Sequence, residues 1–225
     1  MKSNAIKNSS KKRPWPTKDA MQQIYELGFW GSGSNPYYSG HGSHHPKYVI
    51  PYISAVSQFL SSFANPIKVC DLGCGDFNIG KQLIPFVAEY IGVDIVPALI
   101  QFNQEKYGTD SVYFKCLNLA EEELPKADCA IVRQVLQHLS NTEIESIVPK
   151  LFQYNYLILT EHLPEGKFQP NLDIISGRNI RLRKNSGVIL EAAPFNFKPI
   201  AKKQLLAIPD ATNGGVVITT LYHCR

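Results

Sequence analysis

At about 150 residues per domain, a chain of 225 residues predicts one large domain with appendages, and 44% hydrophobic against only 19% charged residues excludes disorder throughout. Lysines and arginines number 23 against 19 acids, but Lys2, Lys7, Lys11, Lys12, Arg13 and Lys18 all precede the first acid, Asp19. This excludes a basic, nucleic-acid-binding body and leaves only a basic tail.

Residues 1–16, rich in Lys, Ser, Asn and Pro, predict a disordered tail without the apolar segment of a signal peptide. Thr17 is placed to cap a short helix in which Met21, Ile24 and Tyr25 share a face and which Gly28 stops. Gly31 to His45 has no periodicity, and within it Gly31 to Ser43 reads as a lid anchored by Trp30. From Tyr48 onward Val49, Tyr52, Ile53, Val56, Phe59, Leu60 and Phe63 keep helical spacing, with serines and Gln58 on the other face. The uncharged stretch Tyr48 to Ile67 holds Pro51, Gln58, Asn65 and four serines, too polar for a membrane span.

Short apolar runs then alternate with helical segments: a strand at Ile67–Leu72, a helix from about Ile79, a strand at Tyr90–Val93 and a helix at Pro97–Tyr107. Strands at Val112–Leu117 and Asp128–Val132 follow, then a helix opened by a Ser140/Glu143 capping box and a strand at Tyr156–Thr160. Such alternation predicts a parallel sheet with crossover helices. Leu163–Pro199 breaks the rhythm and reads as a cover for a substrate. Gln204–Ile208 and Val216–Tyr222 flank Asn213-Gly214-Gly215 and predict a hairpin. Cys70, Cys74, Cys116, Cys129 and Cys224 form no CxxC pair, and they read as buried thiols of a cytoplasmic protein.

The strongest signal is VCDLGCGDFNIG at 69–80, an apolar strand ending in Asp71 and running into Gly73 and Gly75. Glycines at a strand's carboxyl end let the backbone approach a ligand. With Gly80 third, the spacing is GxGxxxxG, which fails the dinucleotide pattern GxGxxG and argues against a nicotinamide cofactor. The acid before the glycines suits a ligand carrying an amine. Asp94 ends the next strand, where a carboxylate accepts from both hydroxyls of a ribose, and Asn118 ends the third, where a side-chain carbonyl can accept from an adenine amino group.

DLGCGDFNIG (71–80), GVD (92–94) and LPKADCAIVRQVLQHLS (124–140) together resemble the class I S-adenosylmethionine-dependent methyltransferases, over about residues 27–225. The flanks at 31–43 and 171–197 are similar to a little-characterised bacterial branch of that family. The resemblance implies a Rossmann-like α/β fold, with a seven-stranded, mostly parallel sheet, helices on both faces and a terminal β-hairpin. It implies a single methyltransferase domain over 17–225, with an N-terminal helical and lid segment at 17–66 and an insertion at 163–199. It also implies S-adenosyl-L-methionine as cofactor, with Asp71, Gly73 and Gly75 at the methionine end, Asp94 at the ribose and Asn118 at the adenine. Ile95, Leu119 and Arg133 complete the expected set. The family more often has aspartate at the position of Asn118.

Methyl transfer from a sulfonium needs alignment and desolvation, with proton removal added when the acceptor is a hydroxyl. His138 and His162 are the candidate bases. Gln134, Asp173, Arg178 and Arg181, with Arg183 beside them, are candidates for binding an acidic or sugar-like acceptor. No Asn/Asp-Pro-Pro-aromatic clamp for nitrogen acceptors follows the fourth strand, and His41, His44 and His45 have no carboxylate at a convincing spacing, so no metal is expected. These readings favour O-methylation of a sugar or secondary metabolite, with neither nucleic acid nor membrane as partner. The alternatives are an RNA methyltransferase using the basic tail and a catalytically silent S-adenosylmethionine-binding scaffold or sensor.

Overall fold

Strands β1 (Lys68–Leu72), β2 (Glu89–Asp94), β3 (Val112–Cys116), β4 (Cys129–Arg133), β5 (Tyr156–Leu163), β6 (Ala201–Pro209) and β7 (Val216–His223) form one sheet, in the order β3-β2-β1-β4-β5-β7-β6. This is a computed structural model, and it describes residues 15–33 and 35–225. Most of the expected tail therefore lies outside the described residues. Strands β1 to β5 are parallel, whereas β7 runs antiparallel to both β5 and β6. The order reverses between β1 and β4, which opens a crevice at their carboxyl ends.

Alternate side chains along the strands enter two apolar clusters. Cys70, Leu72, Ile91, Val93, Ala130 and Val132 pack with Ile144, Ile147, Val148 and Leu151 of α4 (Asn141–Leu151) and with Met21 and Ile24 of α1 (Thr17–Glu26). Val69, Tyr90, Ile131 and Ile158 pack with Val49, Tyr52, Val56 and Leu60 of α2 (Pro46–Leu60). Helix α3 (Pro97–Tyr107) gives Leu99 to the first cluster and Ile100 to the second.

Several expectations are corrected. No α-helix follows β1: the chain makes two single 3₁₀ turns, Gly80–Gln82 and Ile84–Phe86, the second of which holds Pro85. The connection from β3 to β4 is irregular too, so the alternation is incomplete. Thr17 is the first residue of α1 rather than its cap, which falls at Pro16, and its hydroxyl instead donates to Glu143. Cys116 is exposed, unlike the other four cysteines, because it ends the edge strand β3. The capping box opening α4 is present, with Ser140 and Glu143 each accepting from the other's backbone N–H. The fifth strand and the hairpin strands run longer than the apolar runs suggest, since β5 and β7 pair over eight residues each.

Candidate active site

The loops at the carboxyl ends of β1 and β2 are tied together by backbone hydrogen bonds. The N–H groups of Gly73 (2.7 Å) and Cys74 (2.9 Å) both donate to the Val93 carbonyl. Asp94 accepts from Gly75 N–H and Val96 N–H, each at 3.1 Å. Fully buried Asn103 of α3 donates to the Gly75 carbonyl at 2.8 Å. Gly73 and Gly75 have φ of +88° and +54°, a region costly for side-chain-bearing residues. A Cβ at Gly73 would stand 2.3 Å from Val135 Cγ2, and one at Gly75 would stand 2.3 Å from Ser39 Oγ. Backbone alone fits this corner.

Burial raises both acids of the corner. Asp71 is pushed up to about 7, although the Tyr90 hydroxyl, donating to it at 2.7 Å, and the nearby Arg133 guanidinium pull the other way. Asp94 is raised for the same reason, with the Val96 and Gly75 amides opposing.

The segment 39–45 crosses above this corner and is pinned to it. Buried Asp76 accepts from Ser39 N–H (2.8 Å) and hydrogen-bonds His44 Nε2 (2.5 Å), while its own N–H donates to Ser39 Oγ at 2.8 Å. Arg133, at the end of β4, donates to the Gly42 carbonyl (2.6 Å) and Ser43 Oγ (3.1 Å), and its guanidinium lies 4.9 Å from the centre of the Tyr52 ring. Trp30 packs its ring 5.3 Å from Tyr25 and 5.2 Å from His138. His44 thus finds a carboxylate 32 residues away, beyond the reach of a spacing argument. Asp76 is the residue that sequence reasoning missed; it stands inside the glycine motif but faces the preceding segment.

In the loop after β3, Asn118 Oδ1 accepts from Ala120 N–H at 3.0 Å, so one lone pair of the expected adenine acceptor is already committed to a turn. The Leu119 N–H has no partner among the described residues. Lys150 of α4 donates to the carbonyls of Leu119, Ala120 and Glu122 at 2.9, 3.0 and 2.8 Å, which fixes the loop in place.

These groups open into one cavity of about 520 Å³, lined by Asp71, Gly73, Gly75, Asp94, Ile95, Asn118, Leu119 and Arg133 on one side. Gln134, His138, His162, Arg178, Arg183 and His41 also belong to its lining. Gln134 holds φ +56°, sustained by its N–H donating to the Thr160 carbonyl at 2.7 Å, and such strain concentrates at functional sites.

The two histidines differ. His138 hydrogen-bonds the Gly177 carbonyl through Nδ1 at 3.0 Å and Gln137 Nε2 through Nε2 at 3.3 Å. Both ring nitrogens are engaged, and desolvation holds the ring down at about 4, below the range of an effective base at neutral pH. His162, buried on β5, hydrogen-bonds the Gly214 carbonyl through Nε2 at 2.7 Å, which assigns the proton to that nitrogen and leaves the lone pair on Nδ1.

Two expected acceptor-binding residues lie elsewhere. Arg181 is buried, donating to the Leu136 (3.0 Å) and Leu139 (2.7 Å) carbonyls and to Asn141 Oδ1 (2.7 Å), so it anchors the 163–199 segment to the loop after β4. Asp173 is exposed and accepts from the N–H groups of Asn141 and Ile174. Neither lines the cavity. Among the described residues no three His, Cys, Asp or Glu side chains are grouped to hold a metal ion, and no helix is long and apolar enough to cross a membrane.

Residues 70–152 match the family model described as a methyltransferase domain. They are a methyltransferase domain. The fold of this chain is similar to that of the N-methyltransferase NodS from Bradyrhizobium japonicum WM9, solved with S-adenosyl-L-homocysteine, at 12% identity and a TM-score of 0.64 over 91% of this chain and 98% of that one. It is also similar to magnesium protoporphyrin IX methyltransferase (ChlM) from Synechocystis PCC 6803, at 18% identity and a TM-score of 0.58 over 92% and 100% of the two chains. The Burkholderia thailandensis 1,6-didemethyltoxoflavin-N1-methyltransferase matches at 15% identity and a TM-score of 0.52 over 82% and 84%. No sequence among curated proteins matches the chain.

Proposed function

We propose that this methyltransferase transfers a methyl group from S-adenosylmethionine to a hydroxyl of a small molecule the size of a sugar or secondary metabolite. The observation that carries the reading is that the strand-end acids and the bare-backbone corner share one cavity with His162 and Gln134. The corner suits the cofactor because Gly73 and Gly75 line the cavity with bare backbone, turned at positive φ and packed too closely against Val135 and Ser39 to admit a Cβ. Asp71 is positioned to take the ammonium of the methionine moiety. Asp94, whose two oxygens keep lone pairs beyond the backbone bonds they accept, is positioned to take the ribose hydroxyls. The unpartnered Leu119 N–H and the second lone pair of Asn118 Oδ1 would receive the adenine, with Ile95 in the same lining. Arg133 acts indirectly, by holding segment 42–43 over the cavity.

When bound, S-adenosylmethionine supplies an electrophilic methyl group on a positively charged sulfur. The chain's own part is to align the acceptor, exclude water and receive a proton. His162 Nδ1 is the acceptor of that proton in this reading, with the Gly214 carbonyl steadying the imidazolium through Nε2–H. His138 packs against Trp30 and positions Gly177.

Calorimetry is expected to show binding of S-adenosylhomocysteine and none of NAD; the reverse would refute the reading. With an acceptor found by screening hydroxyl compounds, His162→Ala should lower turnover by about 10² to 10⁴ fold at unchanged cofactor affinity. Unchanged turnover would remove the hydroxyl assignment in favour of an acceptor that needs no base.

A further inference from the structure

We infer that the methyl acceptor carries an anionic group, a carboxylate or a phosphate, received by Arg178 and Arg183 at the edge of the cavity. The inference rests on the methyltransferase reading above and adds the substrate class. The sequence presents one basic cluster at 178–184, and the fold splits it by role. Arg181 is buried and spends its guanidinium on main-chain carbonyls and Asn141, which roots the 3₁₀ turn Arg181–Lys184 on the loop after β4. Lys184 donates to the Asp173 carbonyl and does not line the cavity. Arg178 and Arg183, on either side of the anchored residue, both line it.

Neither guanidinium has a carboxylate within ion-pair distance among the described residues. Arg183 gives one N–H to Asn179 Oδ1 at 3.0 Å. Arg178 lies 5.1 Å from the centre of the Phe29 ring, and its guanidinium makes no hydrogen bond among the described residues. The acids of the same cavity have partners other than these guanidinia. Asp210 accepts from the amides of Thr212 and Asn213, and burial, which would raise its carboxyl, is outweighed by those bonds. Glu143 accepts from Ser140 and Ser176, Asp94 from Gly75 and Val96, and Asp71 from Tyr90. Two guanidinium forks with spare donors therefore line a cavity in which no carboxylate reaches them, and the complementary ligand group is planar or tetrahedral and negatively charged. Trp30, which lines the same cavity, offers an apolar surface to the body of such a ligand.

The test uses the full chain saturated with S-adenosylhomocysteine and titrated by calorimetry with benzoate, phenyl phosphate and neutral benzamide. At least one anion should bind about tenfold or more tighter than benzamide, the difference expected of a charge-assisted hydrogen bond, and the stronger anion identifies the headgroup. The double variant Arg178→Gln/Arg183→Gln should erase that preference with S-adenosylhomocysteine affinity unchanged, and the Arg→Lys pair should restore part of it. Equal binding of benzamide and both anions would overturn this inference alone. So would weakened S-adenosylhomocysteine binding in the glutamine pair, which would assign the guanidinia to the cofactor's own carboxylate. Failure of the wild-type chain to bind S-adenosylhomocysteine would overturn the methyltransferase reading and this inference together.

Discussion

Replacing Asp94 with alanine tests the cofactor corner most directly, because one carboxylate there does two jobs. It accepts from Gly75 and Val96 N–H at 3.1 Å each, fixing the loop after β1 against that after β2, and it is the group proposed to take the ribose hydroxyls. A hydrogen bond to a charged acceptor contributes about 1.5 to 3 kcal/mol, so losing both ribose bonds weakens S-adenosylhomocysteine by about two to four orders of magnitude. The effect on stability is smaller. Two loop amides lose their acceptor, but burial already raises the Asp94 carboxyl, and alanine removes that desolvation cost. Asp94→Asn keeps one carbonyl and is expected to fall between the two. Calorimetry with S-adenosylhomocysteine, paired with a thermal melt, separates binding from folding. An Asp94→Ala affinity within twofold of wild type, in a chain that melts normally, would show that the ribose is not held there.

Gly73→Ala places a methyl 2.3 Å from Val135 Cγ2 at φ +88°, and should lower stability by about 1 to 3 kcal/mol in a denaturant titration; adding Val135→Ala should recover the steric part but not the backbone part. Because the free Asp71 carboxyl sits at about 7, S-adenosylhomocysteine affinity should weaken as pH falls from 8 to 6, and Asp71→Asn should bind weakly with no such slope. Glu161 is buried with both carboxylate oxygens unpartnered among the described residues, and burial lifts it from 4.5 to about 8 against the attraction of Arg181. A raised carboxyl contributes stability that is full below its unfolded value and is lost as pH rises through its folded one. Glu161→Gln should therefore flatten the decline in melting temperature between pH 4.5 and 8.

The amino-acid sequence by itself determined the strands, the capped helix α4 and the glycine corner. Each is written in local terms: alternation or a run of apolar residues, a capping pair three residues apart, and glycines where backbone must approach a ligand. Asp71 and Asp94 were legible for the same reason, since each closes a strand whose end the topology must bring to the crevice. The tertiary structure decided whatever depends on which partner reaches a side chain first. Arg181 and Arg178 are alike in sequence, yet one is consumed by main-chain carbonyls of the loop after β4 and the other keeps its donors. His138 and His162 looked equivalent until burial and two hydrogen bonds removed the first as a base. His44 and Asp76 meet across 32 residues, and two tight turns stand where a helix was expected after β1. Periodicity reports which face of an element is buried, but the fate of a polar side chain is set by desolvation and by competing donors and acceptors that only folding brings within 3 Å or so of each other.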